Sequence, residues 1–134
     1  GMDEDNPFSN NSANTTVLPS EEKALLDRCG EEVMFFRLKG PLSFGAAKGI
    51  TDRMALVQNY KVLILDITEV PRLGVTATLA LEDMMLEAKN NSKKAFIAGA
   101  NIKVKERLSK FGIEGVVVET RKEALLAALD EIKK

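Results

Sequence analysis

Between Lys61 and Ala88 the chain reads KVLILDITEVPRLGVTATLALEDMMLEA, and this stretch decides the fold. Four large apolar residues in a row, Val62-Leu63-Ile64-Leu65, end on Asp66. A strand of that composition is buried on both faces, which is the signature of a parallel sheet covered by helices. Thr68 to Gly74 follows as a loop, with Pro71 and Gly74 as breakers. Beyond Val75-Thr76-Ala77-Thr78 the run Leu79 to Ala88 is helix-forming, with Leu81, Met84, Met85 and Ala88 predicted inward and Glu82, Asp83, Glu87 and Lys89 outward. A strand, a loop and a helix start in this order can present backbone N–H groups and a hydroxyl to a ligand, a phosphate or a partner.

Working outward, the same alternation recurs. Upstream, Ser20 is expected to cap a short helix that carries Ala24, Leu25 and Leu26 to Cys29 and stops at Gly30. Val33 to Leu38 is a strand, Leu42-Ser43-Phe44 a second short extended piece, and Ala46 to Gln58 a helix with Ala46, Ile50, Met54 and Val57 on one face. Downstream, Lys93 to Ala98 is a strand and Asn101 opens a helix over Ile102 to Phe111, stopped by Gly112. Its inner stripe is Val104, Leu108 and Phe111. Val116 to Val118 is a short strand, and Thr120 caps a last helix, Arg121 to Lys133, with Ala124, Leu125, Ala128 and Ile132 inward. The expected fold is α/β, with a mainly parallel sheet of four to five strands packed with about four helices.

At 134 residues the chain has room for one domain with a real core. Residues 1–19, rich in Asn, Ser, Thr, Asp and Pro, are expected to be a flexible tag or linker, and residues 20–134 the domain. Gly1 ahead of Met2 reads as a protease-cleavage remnant, so the chain reads as a piece of a longer protein. The acidic, polar start is unlike a signal peptide, and no apolar run approaches the roughly 20 residues of a membrane span. Asn10 to Ser12 matches a glycosylation sequon by coincidence, since nothing else points to secretion.

Nineteen Lys and Arg against 20 Asp and Glu give no strong pull toward nucleic acid. The chain has no histidine, which removes the commonest general base and the commonest metal ligand, and its one cysteine allows no zinc cluster and no internal disulfide. No enzyme, cofactor or metal is therefore expected. Cys29 has only Arg28 as a basic neighbour and is read as a packing or exposed thiol. Gly40 to Gly45, GPLSFG, lacks the Gly-Lys-Ser/Thr ending of a P-loop and is read as a strand connection.

With this order established, VMFFRLKGPLSFGAAKGI, KVLILDITEVPRLGVTATLALEDMM and AFIAGANIKVKERLSKFGI resemble the STAS domain, the module shared by sulfate transporters and anti-sigma factor antagonists. The resemblance runs from about Glu32 to Lys133, and the first of these segments looks particularly like the carboxy-terminal domain of SulP-type anion permeases. It implies a SpoIIAA-like fold and a non-catalytic regulatory or interaction domain on the cytoplasmic side of a membrane, in a transporter of sulfate or bicarbonate. The partners it implies are the transporter's own membrane domain, a second STAS copy, and a nucleotide or protein regulator. The alternative it implies is a free-standing phospho-switch protein of the antagonist type. Antagonist members carry an Asp-Ser-Ser/Thr-Gly kind of motif with a phosphorylated hydroxyl at a helix start. Thr76 matches that hydroxyl, while Gly74 and Val75 replace the Asp and the first Ser. The site residues implied are Gly74, Val75, Thr76, Ala77 and Thr78, with Glu69, Pro71 and Arg72 as a partner-facing loop. Taken from the residues alone, Thr76 is expected as the helix N-cap, its Oγ accepting a backbone N–H.

Overall fold

A computed structural model describes residues 18–113 and 116–134. The expected linker lies outside the described residues apart from Leu18 and Pro19, and Leu18 is buried in the core. Helix α1 (Ser20–Cys29) and a 3-10 turn lead into strand β1 (Val33–Lys39). Then follow α2 (Phe44–Leu56), β2 (Val62–Glu69), α3 (Val75–Asn90), β3 (Lys94–Ala98), α4 (Ile102–Lys110), β4 (Val117–Val118) and α5 (Arg121–Lys133). The four strands form one parallel sheet in the order β1-β2-β3-β4, so β2 is interior, pairing Phe35 with Ile64 on one side and Leu65 with Ile97 on the other.

Each crossover joins neighbouring strands, and alternate side chains of every strand therefore serve two separate cores. Phe36, Leu38, Leu63, Leu65, Ile67 and Ile97 meet α2, α3 and α4 on one face. Val33, Phe35, Val62, Ile64 and Ala98 meet α1 and α5 on the other. Val62 to Leu65 are completely buried, as four consecutive apolar residues require, and burial of each contributes about 1.5–3 kcal/mol.

All four strands point the same way, so α2, α3, α4 and α5 all begin at one end of the sheet, its carboxy-terminal rim. Three of these starts are capped by a side chain: Ser43, Asn101 and Thr120 accept the amides of Ala46, Val104 and Glu123. The last two were expected. The Ser43 cap corrects the reading of Leu42–Phe44 as an extended piece: Ser43 itself is extended, but Phe44 is already helical. Its β-prone neighbours concealed a helix start. Ser20 is likewise not a cap; α1 begins after Pro19, whose ring supplies no capping oxygen. Met85, expected inward, is half-buried beside the fully buried Met84, and Phe111 and Ile132 are half-buried in the same way.

At the opposite end of the sheet Lys93 fastens the strand starts. Its Nζ donates to the carbonyls of Gln58 (2.5 Å) and Tyr60 (2.6 Å) and lies 4.7 Å from the centre of the Tyr60 ring.

Candidate functional site

The β2–α3 junction lies at the carboxy-terminal rim. Leu73 and Val70 are buried and anchor the loop, whereas Glu69, Pro71 and Arg72 are exposed. Asn101 Nδ2 donates to the Pro71 carbonyl (3.0 Å), and Gly40 N donates to that of Glu69 (2.9 Å), so the loop is tied to both neighbouring crossovers. Gly74, in extended conformation, is the N-cap residue of α3, and no side chain caps the helix. Thr76 is the second helical residue and exposed, which corrects its reading as the cap. A residue inside the first turn has its own N–H among the orphan donors and cannot fold its hydroxyl back onto them as a preceding residue does.

The five helix-start residues divide by face. Gly74, Val75 and Thr76 are exposed; Ala77 and Thr78 are buried, and the Thr78 hydroxyl donates to the Gly74 carbonyl (2.7 Å). A partner at this helix start therefore meets the amides of its first turn, the Thr76 hydroxyl, the Val75 side chain and Arg72 beside them, but not Thr78.

Beneath this rim, on the α1/α5 face, sits a feature that the sequence reading did not include. Asp66 is buried in the second half of β2, its side chain 2% exposed. Its Oδ1 accepts from the Thr68 amide (3.0 Å) and hydroxyl (2.5 Å). Its Oδ2 faces two guanidinium groups, Arg37 Nε at 3.2 Å and Arg121 at 3.5 Å. The Arg37 contact is an ion pair without hydrogen-bond alignment, and that buried Nε–H has no hydrogen-bond partner among the described residues. Arg37 reaches on to Glu69 (3.3 Å), and Arg121 to Glu22 of α1 (2.6 Å). Burial by itself would lower the Arg121 pKa, but hydrogen bonds and charge from Glu22 and Asp66 outweigh it and hold the group above its ordinary value. A chain of five alternating charges thus runs from the entry helix under the sheet end to the first residue of the exposed loop. Thr68 is also why residue 99 is glycine: φ there is +82°, and a Cβ would collide with the Thr68 hydroxyl.

Cys29 is buried and its thiol is pushed up to about 11, first by burial, with Glu32 adding to it against Arg28. It is a packing residue with little thiolate at neutral pH.

Known proteins are similar to this chain in sequence and fold. The STAS domain family matches residues 26–125. The bicarbonate transporter BicA of Synechocystis is 37% identical over 118 residues, covering 84% of this chain and 21% of that protein. A second BicA, from Picosynechococcus, is 40% identical over 93 residues, so the chain spans about a fifth or less of these relatives. Among solved structures, the STAS domain of a SulP transporter from Vibrio cholerae is 32% identical, with a TM-score of 0.75 over 86% of this chain and 98% of that one. The anti-sigma factor antagonist SpoIIAA, in its unphosphorylated form, shares the fold at a TM-score of 0.63 with 14% identity. With the parallel sheet, the order of elements and the family match agreeing, the chain belongs to the STAS domain family.

Proposed function

We propose that this chain is the non-catalytic, cytosolic regulatory and interaction domain of a SulP-type secondary anion transporter. The observation that carries the reading is the 32% identity spread over 98% of a SulP transporter's STAS domain. The 37% identity to a fifth of a bicarbonate transporter supports it. Transport itself would belong to a membrane part, and among the described residues no helix is long and apolar enough to cross a membrane. Residues 20–134 are the domain under this reading, and residues 1–19 the tether.

Its role would be to bias the membrane part by making different contacts in different transport states, since coupling requires differential contact free energy and not proximity. The loop Glu69, Pro71 and Arg72 and the exposed residues Gly74, Val75 and Thr76 are the proposed contact surface, with Ala77 and Thr78 beneath it. The partners are the transporter's own membrane domain, a second STAS copy, or a nucleotide or protein regulator. Sulfate is the expectation from the family resemblance; bicarbonate is the anion to test first, because two relatives carry that name. The test is anion uptake by the full-length transporter with and without residues 20–134, at matched amounts in the membrane. Altered uptake is expected; identical uptake at identical abundance refutes a regulatory role.

A second reading, a free-standing phospho-switch, is favoured by one observation: the Thr76 hydroxyl is exposed at a helix start. A phosphate there would add about −1.5 to −2 charge at the positive helix end. Incubation with a cognate kinase and mass analysis separates the readings. Modification at Thr76 supports the switch; its absence leaves the transporter reading alone.

A further inference from the structure

Three helices of one face open on a large hydrophobic residue turned to water. Phe44, Val75 and Ile102 are the first residues of α2, α3 and α4, and are 63%, 53% and 76% exposed. Because these helices follow consecutive parallel strands and share one core, their starts lie along the same carboxy-terminal rim. Each has a cation close by in the chain: Lys39 before Phe44, Arg72 before Val75, Lys103 after Ile102, all exposed and without an ion pair among the described residues. The neighbouring rim carboxylates Glu69 and Glu119 are engaged by Arg37 and Lys105. Glu123, also exposed, belongs to α5 and the opposite face. Glu106, exposed one turn into α4, stays unpaired among the described residues, so the three cations outnumber it and the balance of unpaired charge is positive; the first-turn amides of three helices add to it.

The start of α1 also lies at this end. Glu21 and Glu22, in the first turn of α1, pair at 2.6 Å with Lys122 and Arg121 in the first turn of α5. Leu18, the first described residue, thus lies toward the rim that carries the exposed anchors.

We propose that this rim is a lipid-facing surface that docks on an anionic phospholipid headgroup layer. Phe44, Val75 and Ile102 enter the interface while Lys39, Arg72 and Lys103 contact phosphates. Apolar anchors interleaved with unpaired cations are what interfacial attachment requires: one supplies area, the other attraction to the anionic leaflet. The inference rests on the reading of the chain as part of a membrane transporter, and it adds the surface that such a domain turns to the bilayer.

The test is co-sedimentation of the intact 134-residue chain with sucrose-loaded vesicles, either pure phosphatidylcholine or about one part in three phosphatidylglycerol. Binding to the anionic vesicles alone, weakening as salt rises, is expected. Arg72→Gln and Lys103→Gln should each lower it roughly fivefold. Phe44→Ser and Ile102→Ser should lower it further at unchanged melting temperature, since all four side chains are exposed. Leu56→Ser removes an apolar residue 82% exposed at the other end of α2 and should change nothing. The proposal is overturned by equal binding to both vesicles or to neither. It is also overturned by loss with Leu56→Ser as large as with Ile102→Ser, or by rim variants that alter self-association and leave vesicle binding intact. Failure here would leave the transporter reading standing, because that reading is decided by uptake with and without the domain.

Discussion

Replacing Asp66 by Asn tests how the rim is held together. The substitution keeps size and keeps Oδ1 as acceptor for the Thr68 amide and hydroxyl, now at 3.0 and 2.5 Å. It removes the negative charge between two guanidinium groups, one 11% and the other 19% exposed, and turns an amide NH2 toward them. Breaking a buried ion pair from one side costs about 3–5 kcal/mol, because the remaining charge stays desolvated. Here each arginine keeps a second carboxylate, Glu69 or Glu22, so the low end, about 3 kcal/mol, is expected. For a domain of this size that lowers the melting temperature by roughly 10–15 °C. The chain has no tryptophan, so far-UV circular dichroism in urea and on heating is the suitable assay. Arg37→Gln should cost less in the Asp66→Asn background than alone, with a coupling of about 1 kcal/mol or more. A loss under about 0.5 kcal/mol for Asp66→Asn, or strict additivity with Arg37→Gln, would show that the network contributes nothing to holding the rim.

The remaining predictions concern the core, the thiol and the helix starts. Leu65→Asp places an unpaired charge in the fully buried centre of β2 and should destabilise by more than about 4 kcal/mol; a wild-type melting temperature would contradict the interior placement of that strand. Cys29 should resist an aromatic disulfide reagent at pH 8 until urea unfolds the chain, and rapid labelling of the folded protein would refute its burial. The same thiol sets a pH trend. From its ordinary 9.0 the unfolded chain releases the proton while the folded chain keeps it to about 11, so stability should fall as pH rises through that window. Thr120→Ala should cost about 1 kcal/mol through loss of a helix cap, whereas Thr76→Ala should stay within about 0.5 kcal/mol; the reverse order in urea melts would restore Thr76 as a cap.

What could be read from the sequence was set by periodicity and local chemistry. Val62 to Leu65 announced an interior parallel strand, and Asn101 and Thr120 announced helix starts, because each signal is contained within a few residues. Helix α3 begins at Val75, one residue before the Thr76 expected to cap it, because β-branched Val75 and Thr76 have the look of extended chain. Burial of Ala77 and Thr78 against the sheet overrides that preference. The Asp66 network was beyond local reading, since Asp66 and Arg121 are 55 residues apart. One clue was present: an arginine inside VMFFRL and an aspartate closing VLILD are charges where neighbours are apolar, and such charges need partners. The candidate site was legible as a place, Glu69 to Thr78, but not as a surface. Which of its residues face water depends on the contacts of α3, and those place Thr78 inside and Thr76 outside.

Whether this domain serves a membrane transporter can be read from the coding sequence upstream of Met2 in the parent gene. An open frame continuing upstream through ten or more apolar segments, each about 20 residues long and enough to cross a bilayer, is expected. A start codon at Met2 with no such segments before it would contradict the claim and leave the free-standing switch in its place.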